Sequence, residues 1–200
     1  MQNITNEKNK TVYNMNPHPL HIFSHCPRCG SNHFTDHDER SRRCEDCGFV
    51  YYLNASGATA AIIENSHGEW LVIRRANAPA AGTLDLPGGF IDIGETAEEG
   101  VAREVREETG LEVTSVHYLW SIPNRYEYSG MFIPTVDLFF HCAVADDSCV
   151  IAADDAAECM WVKAEELRPG DFGLHSISEG VRRMLAKRGL RGACAAATGR

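Results

Sequence analysis

The stretch "GGFIDIGETAEEGVAREVREETGL", residues 88–111, limits the possible folds more than any other part of the chain. Two glycines open it, Thr96 and Glu99 stand three residues apart as a capping box, and Gly110 offers a left-handed stop. The spacing predicts a helix over Ala97–Thr109, launched from a tight glycine turn. On a helix advancing about 100° per residue, Glu104, Glu107 and Glu108 share an arc of roughly 100°. Val101, Ala102 and Val105 fill an overlapping and neighbouring arc, so one face can pack on a sheet while its edge presents three carboxylates. Like charges at i, i+4 cost helix stability, and Arg103 can offset part of this by pairing with Glu99 or Glu107. A solvated acidic helix would need neither the glycine turn nor the lack of lysine beside the three acids. Hard divalent ions account for the clustering better, because Mg²⁺ or Mn²⁺ takes carboxylates, substrate phosphates and water as ligands. Such ions would let an acidic protein hold an anionic substrate.

The surrounding pattern supplies the sheet. "GATAAIIEN" and "WLVIRR" read as two strands joined by the turn-like "SHGE". "LDLPGGF" reads as a short strand ended by Pro87 and two glycines. "LEVTSVHYLWSI", "IPTVDLFFHCAVA" and "CMWVK" complete the β-rich segments. A second helix is expected over 177–188, with Ser176 and Glu179 spaced as its capping box. Strands and helices mixed in this order predict α/β layers, a mixed sheet with a helix on each side. The expected organisation is a flexible lead-in over 1–20, a cysteine-rich unit over 21–52, an α/β domain over 53–190 and a flexible tail over 191–200. A formal charge of −9 argues against broad nucleic-acid binding, which needs a basic face. No 18-residue apolar run or signal-like N-terminus is present, so a cytoplasmic, membrane-free protein is expected.

"CPRC" and "CEDC" are separated by fourteen residues. Each CxxC places two thiolates on a tight turn, and two such turns complete a tetrahedral site. Cys26, Cys29, Cys44 and Cys47 are therefore assigned to structural zinc, with Gly30 and Gly48 supplying the permissive backbone after each pair. His25, His33 and His37 nearby read as surface residues. Cys142, Cys149, Cys159 and Cys194 read as reduced, small apolar side chains.

Gly89, Glu95, Arg103, Glu104, Val105, Glu107, Glu108, Gly110 and Leu111 stand at every specified position of the box G-x5-E-x7-R-E-U-x-E-E-x-G-U, U being a bulky aliphatic. The sequence resembles the Nudix hydrolases in this box. The resemblance implies an α/β/α sandwich and attack of water on a phosphorus of a nucleoside diphosphate linked to another group. It also implies Glu104, Glu107 and Glu108 as ligands of Mg²⁺ or Mn²⁺, Arg103 as their orienter, and Glu95 and the Gly89 carbonyl as further contributors. Family analogy makes Glu158 the first candidate for general base, with Asp154 and Asp155 as rivals. A cysteine ribbon before such a domain resembles the NADH pyrophosphatase subgroup. Its S-Q-P-W-P-F-P-x-S signature is met in "SIPNRYEYS" at Ser121, Pro123 and Ser129, with Tyr126 for the phenylalanine and departures at Ile122, Asn124, Arg125 and Glu127.

Tyr126 or Tyr128 is expected to stack on a base, and Arg125 to contact phosphate or ribose. Arg74 and Arg75 are further candidates for the diphosphate, while Trp120 and Phe132 read as core or interface residues. The expected substrate contains ADP: ADP-ribose, or a dinucleotide such as NADH or FAD. Nucleotide sugars and capped RNA rank behind. A nucleotide-sensing module is the alternative of a different class, but such modules commonly lose box acids and this chain keeps them all. The family also implies a homodimer.

Overall fold

The computed structural model describes residues 18–148, 150–153 and 156–190. The segments expected to be a flexible lead-in (up to residue 17) and tail (191–200), with Cys149, Cys194, Asp154 and Asp155, lie outside the described residues. The chain divides into two compact units between Asn54 and Ala55.

The first unit is short of large apolar side chains. Three antiparallel strands, β1 (Phe34–Asp38), β2 (Ser41–Cys44) and β3 (Val50–Tyr52), form its sheet. Its small core is Cys26, Phe34 and Cys44, with Cys47 and Phe49 packed against them. A core this small needs an added cross-link to hold a fold.

The second unit contains β4 (Ser56–Ile63), β5 (Glu69–Arg75), β6 (Leu84–Asp85), α1 (Ala97–Thr109), β7 (Val113–Tyr128), β8 (Met131–Val144), β9 (Ala156–Lys163) and α2 (His175–Lys187). One sheet runs β4-β8-β7, with β4 parallel and β7 antiparallel to β8, so it is mixed. The other runs β6-β5-β9 and is antiparallel. Strand residues alternate between faces, and β4 shows the result. Ala60 and Ile62 enter one apolar cluster with Ile177, Val181 and Leu185 of α2. Ala61 and Ile63 enter the other with Val101 and Val105 of α1. Each face of the strand thus has its own helix, which makes the unit an α/β/α sandwich.

The "SHGE" turn joins β4 to β5, yet the two strands enter different sheets, bridged by the Glu64–Trp70 pair just past the end of β4. The two segments expected as separate β-rich stretches form one long hairpin, β7–β8. Its tip is Ser129 and Gly130, both with positive φ (50° and 74°), as a two-residue hairpin turn demands. Helix α1 has the expected limits and its capping box is present on both sides, a cap that contributes about 1 kcal/mol. Helix α2 begins two residues before the expected start and has no side-chain cap. Ser176 is buried and gives its hydroxyl hydrogen to Asp137 instead, while Glu179 pairs with Arg182 and Arg183. Among the described residues no helix is long and apolar enough to cross a membrane.

Gly180 sets how closely α2 approaches the mixed sheet. A Cβ there would stand 2.2 Å from Cε1 of Phe139, which is fully buried. Alanine in place of glycine gains about 1 kcal/mol of helix propensity, but overpacking costs about 1–3 kcal/mol or more at a contact this close. Gly180→Ala is expected to lower the thermal unfolding midpoint, read by circular dichroism.

Candidate active site

The two CxxC turns have the same construction. Gly30 donates to the Cys26 carbonyl and Gly48 to the Cys44 carbonyl, at 2.9 and 3.0 Å, with φ of 76° and 72°. The Sγ atoms of Cys26, Cys29, Cys44 and Cys47 all lie within 4.8 Å of one another. Cys26–Cys47 and Cys29–Cys44 sulfur separations are 3.7 and 3.6 Å. These are too long for disulfides, at about 2.05 Å. They match the edge of a tetrahedron with metal–sulfur bonds of about 2.3 Å, which is about 3.8 Å. Amide hydrogen bonds, from Cys47 foremost, hold the Cys44 thiol down to about 7. At Cys29 the Ser31 amide is outweighed by the neighbouring thiols, Cys47 foremost, and by burial, which push it up to about 12, so four thiolates this close need a cation among them. The donor set fits a structural zinc ion with no open position. Purified protein is expected to carry one zinc per chain by elemental analysis, and Cys47→Ala to lose it.

The acidic helix owes its geometry to one guanidinium. Arg103 donates through Nε to Glu95 Oε1 at 2.7 Å, and through Nη1 to Glu104 Oε1 at 2.9 Å and Glu107 Oε2 at 3.0 Å. Its Nη2 donates to Glu95 Oε2 at 3.0 Å and to the Phe90 carbonyl at 2.9 Å. All five N–H donors are used. Glu99 is absent from this set because it completes the cap at Thr96. The carboxylates around Arg103 hold it above its ordinary range, Glu95 first.

The glycine turn brings backbone against the same acids. A Cβ on Gly89 would lie 2.6 Å from Glu104 Oε1, and one on Gly88 would lie 2.2 Å from the Thr59 carbonyl. Gly88 N–H donates to Glu108 Oε2 at 2.9 Å, and Glu108 is buried. The Gly89 carbonyl accepts the Thr59 amide at 2.8 Å and, at a longer 3.4 Å, the Thr59 hydroxyl, which a ligand on this oxygen would displace.

A cavity of about 280 Å³ opens on this cluster. Gly88, Gly89, Arg103, Glu104, Glu107 and Glu108 line it, as do Phe90, Arg75, Asp85, Asn124, Tyr126, Thr135 and Asp137. Tyr126 meets the Phe90 ring edge-on at 5.5 Å, and Arg75 holds Asp85 at 2.5 Å and the Tyr126 hydroxyl at 3.3 Å. Burial pushes the Asp85 carboxyl up; Arg75 opposes this, and the Asp137 charge adds to it.

Several expected site residues stand elsewhere. Glu158 does not line the cavity. It lies opposite Arg74 in the β5–β9 pair and accepts from its Nε at 3.1 Å, with both side chains largely in solvent. Its strand neighbour Cys159 points the other way, its thiol reaching the Glu108 carbonyl. The two-residue period therefore turns Glu158 from the face that carries α1. Arg74 donates also to the Gly82 carbonyl and does not line the cavity. Arg125 lies over the Phe132 ring at 4.2 Å, and Tyr128 is exposed near the hairpin tip; neither lines the cavity. Asp85, Phe90, Thr135, Asp137 and Ser176 carried no sequence signal as site residues. Asn124 was visible only as a departure from the subgroup signature.

Residues 55–184 match the NUDIX domain. The chain belongs to the NUDIX family. Residues 23–52 match the NADH pyrophosphatase zinc ribbon domain. Among curated proteins, the NAD-capped RNA hydrolase NudC of Vibrio vulnificus is 26% identical over 152 residues, 76% of this chain and 55% of that protein. The ADP-ribose pyrophosphatase of Methanocaldococcus jannaschii is 46% identical over 76 residues, 37% of this chain and 44% of that protein. The chain spans about half the length of these curated relatives. A NUDIX hydrolase structure from Nitrosomonas europaea, 24% identical, superposes with a TM-score of 0.65 over 83% of this chain and 92% of that one. That likeness is one of fold.

Glu95 gives a direct test of the Arg103 assembly. Its carboxyl is held below the ordinary range, by Arg103 first and the Asp92 amide second. A depressed acid stabilises the fold above its unfolded value of about 4.3, and the contribution disappears as pH falls through the lower folded value. An NMR titration is expected to place the Glu95 midpoint below that of ordinary glutamates, and Arg103→Met to move it upward.

Proposed function

We propose that the cavity hydrolyses the pyrophosphate bond of an ADP-containing nucleoside diphosphate derivative, ADP-ribose or a dinucleotide such as NADH or FAD. The observation that carries this reading is that Glu104, Glu107 and Glu108, tied to Arg103 and the glycine turn, open onto the same cavity as an aromatic pair and Arg75. Membership of the NUDIX family and the likeness to an NAD-capped RNA hydrolase and an ADP-ribose pyrophosphatase support it.

The all-oxygen donor set of Glu104, Glu107, Glu108 and the Gly89 carbonyl suits Mg²⁺ or Mn²⁺. Such an ion, when bound, neutralises the diphosphate and lowers the pKa of a water ligand. Arg103 holds two of the three carboxylates in place and Gly88 N–H holds the third, so little reorganisation accompanies binding. The Phe90–Tyr126 pair gives a ring surface for a base, and the Arg75–Asp85 ion pair stands beside it. The carboxylate that takes the water's proton has to line the cavity. Among the described residues Glu104, Glu107, Glu108, Asp92, Asp85 and Asp137 do so, the last two paired with Arg75 and with the Asn124, Thr135 and Ser176 donors, and Glu158 does not.

The exposed Phe132 and Val136 on β8, with Tyr118 and Tyr128 on β7, support a homodimer formed through this hairpin. Four cysteines placed as metal ligands and not as disulfides support a reducing, cytoplasmic setting.

A panel of ADP-ribose, NADH, NAD, FAD, nucleotide sugars and an NAD-capped oligonucleotide, assayed with Mg²⁺ or Mn²⁺ and products identified by mass, tests the reading. At least one ADP-containing member is expected to be cleaved between its phosphates. Glu107→Gln is expected to lower kcat at least about 100-fold, whereas Glu158→Gln stays within about two-fold of the parent. No turnover on any member would refute hydrolysis, and a large loss in Glu158→Gln would refute the assignment of the acids.

A further inference from the structure

The cavity has a second polar surface, separate from the box glutamates and built by β7, β8 and the start of α2. At its centre is Asp137, only 5% exposed. Its Oδ2 accepts from Asn124 Nδ2 at 3.1 Å and Ser176 Oγ at 2.5 Å, and its Oδ1 accepts from Thr135 Oγ1 at 2.6 Å. All three partners are neutral, and Asp137 has no ion pair among the described residues. Arg75, the nearest cavity cation in this part of the fold, is spent on Asp85, the Pro79 carbonyl and the Tyr126 hydroxyl.

Counting hydrogens shows what this surface offers a ligand. A carboxylate only accepts. Ser176 and Thr135 each own one hydroxyl hydrogen and give it to Asp137, so neither has a proton to donate. The Thr135 oxygen lines the cavity with lone pairs left, and Ser176, fully buried, supports Asp137 from outside the lining. Asn124 must turn its NH₂ toward the carboxylate, because its carbonyl there would set acceptor against acceptor. Its amide oxygen is therefore directed away from Asp137 and accepts nothing among the described residues. One N–H of Asn124 is the only proton left uncommitted in the cluster. The cavity lining here is rich in acceptors and carries negative charge, next to apolar surface from Leu174 and Ile177.

We propose that the Asp137–Asn124–Thr135–Ser176 cluster reads N–H donors on the substrate's base, an exocyclic amine or a carboxamide, and rejects the matching oxo or carboxylate group. The proposal rests on the cavity taking a nucleoside diphosphate derivative. An N–H group would meet lone pairs and a buried negative charge that lacks a cation. A carbonyl or carboxylate oxygen in the same place would meet these acceptors and the negative charge, with the spare Asn124 N–H as the cluster's single donor, which is the kind of mismatch that discriminates strongly. Asp137 and Asn124 thereby set specificity and take no part in breaking the bond.

The test is equilibrium binding to the full chain without added Mg²⁺ or Mn²⁺, so that turnover plays no part. One arm compares ADP-ribose with its hypoxanthine counterpart, in which the 6-amino group is replaced by oxygen. The other compares NAD with its nicotinic acid counterpart, in which the carboxamide is replaced by a carboxylate. The N–H-bearing member is expected to bind at least ten-fold tighter in one arm, and that arm identifies which group is read. Asp137→Asn, nearly isosteric but carrying an N–H donor, is expected to bring that ratio close to one or invert it, with an unchanged circular dichroism spectrum. Equal affinities in both arms, no binding of any of the four ligands, or an unchanged ratio in folded Asp137→Asn would each overturn the proposal. The wild-type ratios decide the matter even if the variant does not fold. Failure of phosphate release in the substrate panel would instead count against hydrolysis and leave this binding result standing.

Discussion

The five N–H donors of Arg103 join a glutamate from the loop, two from the helix and the carbonyl of Phe90, and the active-site geometry depends on that junction. Without it, Glu95, Glu104 and Glu107 would face one another as like charges. Two such charges 4 Å apart repel by about 4 kcal/mol at an effective dielectric of 20. A lysine could not substitute, since its three donors radiate from one point and cannot span a forked set of carboxylates. The guanidinium therefore does for the folded chain what a bound cation would do in addition, gathering acids that a helix surface would otherwise let swing into solvent.

Two close approaches turn this cluster into part of a cavity. Gly88 lets the turn press on β4 and Gly89 lets the Glu104 carboxylate lie against backbone, at separations no side chain could share. On the other side of the central strand, Gly180 draws α2 against Phe139, which brings Ser176 to Asp137. The long β7–β8 hairpin pairs Asn124 with Thr135 and sets Asp137 opposite Ile122, so one register supplies most of the second polar surface. The cavity thus joins an anionic, metal-suited region to an acceptor-rich one, and these suit different parts of a nucleotide derivative.

The legibility of the chain differed by element. Helix α1 was readable to the residue, because its caps, its apolar positions and its acids all repeat with the helical period. The cysteine ribbon was readable for a similar reason: both halves of the site are local turns. Helix α2 was located but its cap was misassigned, since Ser176 has a cap's spacing and was claimed by a partner thirty-nine positions away. Glu158 and Arg74 are each plausible from neighbouring residues. Only strand register shows that they pair with each other and stand outside the cavity lining.

By itself the sequence determined what short-range periodicity can encode: the cysteine turns, the capped helix with its acidic edge, and the α/β layering. The tertiary structure alone decided which residues share the cavity. Arg75, Asp85, Asn124 and Asp137 line it from four separate elements, and no spacing along the chain relates them. Their meeting depends on strand register and on how closely backbones approach at three glycines, both of which are settled by packing across the sandwich and not by local preference.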